Sequence, residues 1–166
     1  MADTTNLGLP LLQAAQAQKH VTVNEALTRL DGLVQLVLRS VTQIVPPSVV
    51  QDGHAYAVPF GAQGAWSNAS GMIAIGSNGG WDFLPPARGW RGHVLDMGVD
   101  AVHDGTDWAL GQITASSNGS GLGLRVVEFD FTVPSGAIAA TPNVIPANSV
   151  VFGVTGRVVS PVTGTL

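Results

Sequence analysis

Apolar residues Val23, Leu27, Leu30, Val34, Val37, Val41 and Ile44 recur at alternating steps of four and three. That spacing lines them along one side of a helix, in the a/d alternation of a coiled coil. Ahead of them, Thr22-Val23-Asn24-Glu25 has the form of a capping box. The Thr22 hydroxyl can accept from the Glu25 amide, and the Glu25 carboxylate can reach back to the Thr22 amide. Pro46-Pro47 is a stop signal. The pattern predicts one helix from about 22 to 43. Leu33, Leu36 and Leu38 widen the stripe, so the helix needs more than one neighbour. Self-association and packing on a sheet of the same chain both satisfy it. The turn-rich segment that follows is a poor mate for so wide a stripe, which points to self-association.

Beyond the prolines the pattern changes period. Turn signals come often: Asp52-Gly53, Gly61 to Gly64, Asn78-Gly79-Gly80, Pro85-Pro86, Arg88-Gly89 and Asp104-Gly105. Short strands fit between them at Ala55–Val58, Met72–Ile75, Trp81–Leu84, Trp90–Leu95, Val99–His103 and Trp108–Leu110. A glycine-containing turn precedes each of Trp66, Trp81, Trp90 and Trp108 at uneven intervals. Uneven spacing excludes a fixed-period repeat and predicts a β-meander whose strands open on an aromatic residue.

The two ends read differently. Residues 1–20 are polar apart from Leu7, Leu9, Pro10, Leu11 and Leu12, and Pro10 favours an extended approach. Residues 111–121 form a Ser/Gly linker. Val127, Phe129, Phe131 and Val133 then alternate with Glu128, Asp130 and Thr132, the pattern of a half-buried strand. A second strand is expected over 149–159. Two strands make no stable domain alone. They predict either pairing with other copies or a natural chain that continues past Leu166.

Composition narrows the function. Charged residues are 11% of the chain, against about 25% in an average soluble domain. The surface is therefore rich in uncharged small residues, as in components of assemblies. The net charge of -4 offers no electrostatic footprint for nucleic acid or an anionic membrane. No apolar run approaches a membrane span, and the N-terminus lacks the form of a secretory signal. With no cysteine there is no disulfide, thiolate metal site or cysteine nucleophile.

Candidate chemistry is thin. No phosphate-binding loop, nucleophile elbow or zinc-protease motif occurs. His20, His54, His93 and His103 are scattered, although His93 and His103 could approach across a hairpin. Asp82, Asp96, Asp100, Asp104, Asp107, Glu128 and Asp130 include no pair marked for glycoside hydrolysis, and most sit at turns. The expectation is a protein without enzymatic activity, cofactor or metal. Trp66, Trp81, Trp90 and Trp108 are either the core of a small β module or platforms on which a sugar stacks. The second option makes a carbohydrate-binding module the alternative function.

One resemblance bears on these choices. Leu9-Pro10-Leu11-Leu12-Gln13, then Gln16-Ala17-Gln18-Lys19-His20-Val21-Thr22-Val23-Asn24-Glu25-Ala26-Leu27 and Leu30-Asp31, form a distinctive run. With Gly53, Tyr56, Gly64-Ala65-Trp66, Gly79-Gly80-Trp81, Pro85, Gly89-Trp90, Asp104-Gly105 and Trp108, it resembles an uncharacterised family in alphaproteobacterial prophages and gene transfer agents. Its members look like phage tail-fibre proteins. The resemblance implies a structural tail fibre of a virion or gene-transfer-agent particle, made in the bacterial cytoplasm. It would be attached to the tail tip or baseplate by its N-terminal part and would present a host-binding region, selective for surface glycan, at the far end. It favours a homotrimer with Val23, Leu27, Leu30, Val34, Val37, Val41 and Ile44 at the axis. Leu9, Pro10, Leu11, Gln16, Gln18, Lys19, His20 and Asn24 would dock on the baseplate. The expected architecture is α+β: an N-terminal coiled-coil-like helix and small antiparallel β modules, intertwined as a homotrimer. It divides into an arm (1–21), a trimerisation helix (22–45), a Trp-rich β module (46–110), a linker (111–121) and the start of a distal β domain (122–166).

Overall fold

In the computed structural model, residues 2–13, 19–115, 121–132, 144–145, 147 and 149–159 are described. The helix is shorter than its apolar spacing predicts. α1 runs over Lys19–Leu33, so Thr22 lies inside it and the capping-box reading is replaced by an earlier start. Its end has two local causes. Gln35 adopts the left-handed conformation at φ 55°, which breaks the helical path. Leu36 and Leu38 are buried while Val37 is exposed, the period-two pattern of a strand. Val37–Leu38 accordingly forms β1. The four-three spacing past Val34 is the chance continuation of a helical rhythm across a turn and a strand.

The strands that follow are β2 (Ala55–Ala57), β3 (Ile73–Ser77), β4 (Gly80–Leu84), β5 (Arg91–Val94), β6 (Val99–His103) and β7 (Trp108–Leu110). With β1 they build one seven-stranded sheet in the order β4-β3-β2-β1-β5-β6-β7. β1 is central and pairs parallel with both β2 and β5. Two antiparallel meanders, β2-β3-β4 and β5-β6-β7, flank it. The expectation of an α+β chain with a coiled-coil-like helix and small antiparallel modules is therefore corrected: the chain is mainly β, with one short helix and a mixed sheet. The six strands read between turn signals are all present, with β6 and β7 at the expected bounds.

Alternation along the strands sorts the side chains onto two faces. One face gathers Leu36, Leu38, Ala55, Ala57, Ile73, Ile75, Val94 and Ala101, with Leu33, Val41, Trp90 and Trp108 packed against them. The other carries Tyr56, Val58 and Ala74 with Trp66, Ala62 and Ala69. Trp66 comes from a short 3-10 turn, Gly64–Trp66, in the connection between β2 and β3. α1 meets the first meander at Gly32, where an added Cβ would lie 2.6 Å from the Ile75 Cδ1. Only a residue without a side chain allows this approach.

β8 (Gln112–Ala115) lies inside the stretch read as a linker, 111–121, and pairs with β9 (Gly121–Gly123), which begins at its last residue, in a two-stranded ribbon. The chain divides into two compact units, Met1–Leu124 and Arg125–Leu166. In the second unit, the described parts of the two expected strands carry no assigned strand, and Val126, Phe152 and Val154 are exposed. Val133 lies outside the described residues. Among the described residues no helix is long and apolar enough to cross a membrane.

Candidate functional site

The N-terminal arm is folded onto α1 by two side chains. Residues 2–11 turn back on themselves, with an isolated bridge between Asp3 and Pro10. The Asn6 amide donates to Asp31 Oδ2 at 3.0 Å and the Leu7 amide to Asp31 Oδ1 at 2.7 Å. The Asn6 side chain donates to the Asp31 and Gly53 carbonyls. Gly53, at φ 80°, is pressed so close that an added Cβ would sit 2.9 Å from the Thr5 Cβ. Two turns earlier on the helix, Asn24 accepts from the Leu12 amide at 2.9 Å and donates to the Leu12 carbonyl at 3.0 Å.

Asp31 is 3% exposed. Burial works to raise its pKa. The Thr4 hydroxyl and the Asn6, Leu7 and Thr5 amides outweigh that and hold the carboxyl below the ordinary carboxylate value. Among the expected docking residues, Asn24 thus has an intrachain role, and Leu9 and Leu11 join the arm's backbone bonds to Thr4 and Ala2. Pro10 is exposed. Lys19 opens the helix, and the half-buried His20 has a buried Nδ1 without a partner among the described residues. Gln16 and Gln18 lie outside the described residues.

The expected axial residues part company. Val23, Leu30 and Val34 are exposed and Leu27 is half-buried. These four share the helix side turned away from Gly32, whose close approach to Ile75 marks the side toward the sheet. Val37 is in β1, Val41 packs on the sheet core, and Ile44 is exposed in the following loop.

The tryptophans divide in the same way. Trp66 is 0% exposed and packs at 5.1 Å on Trp81 and 5.2 Å on Tyr56, measured between ring centres. It offers no face to a ligand. Trp81 and Trp90 are half-buried against the two core clusters. Trp108 alone of the four lines a surface cleft, of about 130 Å³, together with Val41, Pro59, Phe60, His103, Thr106 and Asp107.

The cleft is built where the end of β2 meets the turn between β6 and β7. That turn is held by Asp104, whose Oδ1 accepts from the Thr106 and Asp107 amides at 2.8 and 2.9 Å. Those two amide bonds, Asp107 first, lower the Asp104 pKa, with smaller help from nearby His103 and from the Arg88 charge. The Asp107 carboxylate accepts no hydrogen bond among the described residues. Phe60 is 71% exposed, an unusual place for a phenyl ring. His103 is 4% exposed, its ring centre 5.3 Å from that of Trp108, and its buried Nδ1 has no hydrogen-bond partner among the described residues.

His93 and His103 do not meet. Strand register pairs His93 with Asp100 and sets it on the face opposite His103. Its Nδ1 lies 2.8 Å from Asp100 Oδ1. Asp82 pairs with Arg29 of α1, an ion pair between helix and sheet that no sequence spacing signals. Arg39 lies against both ring nitrogens of His54, and burial, then the Arg39 charge, lowers the His54 pKa. Among the described residues no three His, Asp or Glu side chains gather as a metal site. The cleft residues Phe60, Thr106 and Asp107 carried no periodic signal; the only hint in the sequence was the glycine turn before Trp108.

No curated protein matches this chain. A family model does, over residues 23–109, from inside α1 to inside β7, so the family unit is the helix together with the seven-stranded sheet. Because that match covers more than half of the 166 residues, the chain belongs to the family described as protein of unknown function (DUF2793).

Proposed function

We propose that the chain is a structural component of the tail fibre of a phage or gene-transfer-agent particle. The N-terminal part, arm and α1, faces the tail tip or baseplate, and the region beyond the sheet is directed at the host surface. The sequence resemblance described above supports this reading. The observation that carries it is uncovered apolar surface in two places. Val23, Leu30 and Val34 stand exposed along one side of α1. Val126, Phe152 and Val154 stand exposed in the C-terminal unit. Apolar groups left in water at such density are those that an assembly covers. Low charge in the whole chain removes the repulsion that would oppose close packing of copies or partners.

The test is made on particles. Density-gradient-purified particles from the source strain are analysed by mass spectrometry, and a deletion strain is assayed for adsorption to host cells. The chain is expected in the particle fraction, and the deletion is expected to lower adsorption while heads still fill. Absence of the chain from purified particles overturns the reading. In solution, light scattering on the full chain is expected to give a multiple of 17.0 kDa. A mass of 17.0 kDa would show that copies do not assemble without the particle.

A further inference from the structure

We propose that the cleft between Phe60 and Trp108 is a binding site for one neutral sugar ring. Three features point to that ligand class. The first is shape. A cleft of about 130 Å³ is smaller than the several hundred Å³ that enclose a drug-sized molecule, and suits a single pyranose lying against its walls. The second is the pairing of surfaces. Phe60 presents an exposed ring and Trp108 a half-buried one. The C–H bonds on one face of a pyranose carry slight positive charge and meet the negative face of an aromatic ring favourably. The third is an acceptor at the rim. The Asp107 carboxylate is exposed and accepts no hydrogen bond among the described residues, on a turn already fixed by Asp104. Sugar hydroxyls are donors, and a carboxylate is the strongest neutral-sugar acceptor available to a protein. Thr106, beside it, adds a hydroxyl that can donate or accept.

The same charges select against acidic sugars. Asp107 stands at the rim and no Lys or Arg lines the cleft; Arg88, packed against Gly105 of the same turn, acts on Asp104, whose carboxylate the turn amides already occupy. A uronic acid would meet like charge. The inference is independent of the fibre reading: it concerns what the sheet unit binds, whatever particle or surface carries it.

The experiment uses the full chain and a set of methyl pyranosides (glucoside, galactoside, mannoside and rhamnoside), read by saturation-transfer NMR and tryptophan fluorescence. At least one is expected to receive saturation on its ring C–H protons and to alter Trp emission, with weak affinity. Asp107→Asn is expected to weaken that binding about tenfold, as expected for loss of a charge-assisted hydrogen bond. Phe60→Ala is expected to abolish the transfer. Both side chains are exposed, so both variants keep the parent melting temperature. Trp81→Phe, outside the cleft, is expected to bind as the parent does. Three results would overturn the site: no transfer to any of the four sugars, transfer that survives in the Phe60→Ala/Asp107→Asn double variant, or methyl glucuronide binding as tightly as methyl glucoside. None of these bears on whether the chain is found in particles, so failure here and failure of the fibre reading are told apart.

Discussion

The two meanders beside β1 have the same strand order and direction but opposite surroundings. β2-β3-β4 is covered on both faces. α1 closes on one side at Ile75, and the connection from Val58 to Met72 folds over the other, placing Trp66 on Tyr56 and Trp81. β5-β6-β7 has only four residues, 95–98, between its first two strands. So short a turn covers neither face; Val102 is buried beside Arg91, which donates to the Ile113 carbonyl of β8, and the His93–Asp100 pair at the turn end stands exposed. The third strand of each meander carries a tryptophan. Trp81 sits inside an aromatic cluster, whereas Trp108 lines the cleft. Strand register separates the two tryptophans: Trp81 pairs with Gly76 on the Tyr56 face, which the β2–β3 connection covers, whereas Trp108 pairs with His103 on the opposite face, packed on the core beside the cleft.

The largest test of that contrast is Trp66→Ala. It removes the ring that seals the outer face of the first meander and should cost about 3–5 kcal/mol in chemical denaturation, the range for emptying a buried aromatic site. Trp66→Phe should recover most of the loss, because the indole Nε1 has no hydrogen-bond partner among the described residues to forfeit. Phe60→Ala, made on the cleft, should change stability by less than about 0.5 kcal/mol. Equal losses for Trp66 and Phe60 would erase the distinction between the covered meander and the open one.

The same contrast explains what the sequence could reveal. All the strands of both meanders were readable, because Asp-Gly, Asn-Gly-Gly and Pro-Pro punctuate them and turn chemistry is local. The end of α1 was not. Val34, Val37, Val41 and Ile44 keep a helical step by coincidence, while Gln35 in a left-handed conformation and the buried-exposed-buried order of Leu36, Val37 and Leu38 decide the outcome. No local spacing marks the role of Asp31, because its partners lie 24 and 25 residues away, beyond any periodicity. Trp66 and Trp108 both follow glycine turns, and only the three-dimensional path of the β2–β3 connection separates them.

The second prediction concerns the other cover of the first meander. Asp31→Ala removes the acceptor of the Asn6 and Leu7 amides and leaves them without that partner. A loss of about 2–3 kcal/mol is expected, with faster amide exchange at Asn6 and Leu7. The pH dependence has a definite sign. The folded carboxyl titrates below its ordinary value, so its contribution is complete above about pH 4 and falls away as acid protonates the folded form. Asp31→Ala should flatten the acid side of the stability curve. An unchanged acid limb would mean that the arm is held by Asn24 at Leu12 and by the Asn6 side chain on the Asp31 and Gly53 carbonyls.

Gly32→Ala comes next. The new methyl would meet the Ile75 side chain at 2.6 Å from its Cδ1, and α1 would have to lift from β3. Overpacking of this kind costs about 1–3 kcal/mol, more than any gain in helix propensity. A melting temperature at or above the parent's would show that the helix rides more loosely on the first meander than the contact with Ile75 implies.

The smallest effect belongs to the open meander. Asp100→Ala breaks the pair with His93, but both groups stand in solvent, where attraction is screened and two side chains must be held still to gain it. Stability should move by less than about 0.5 kcal/mol, and added salt should shrink even that. A loss near that of Asp31→Ala would mean that this face is covered after all, by another copy or by a partner.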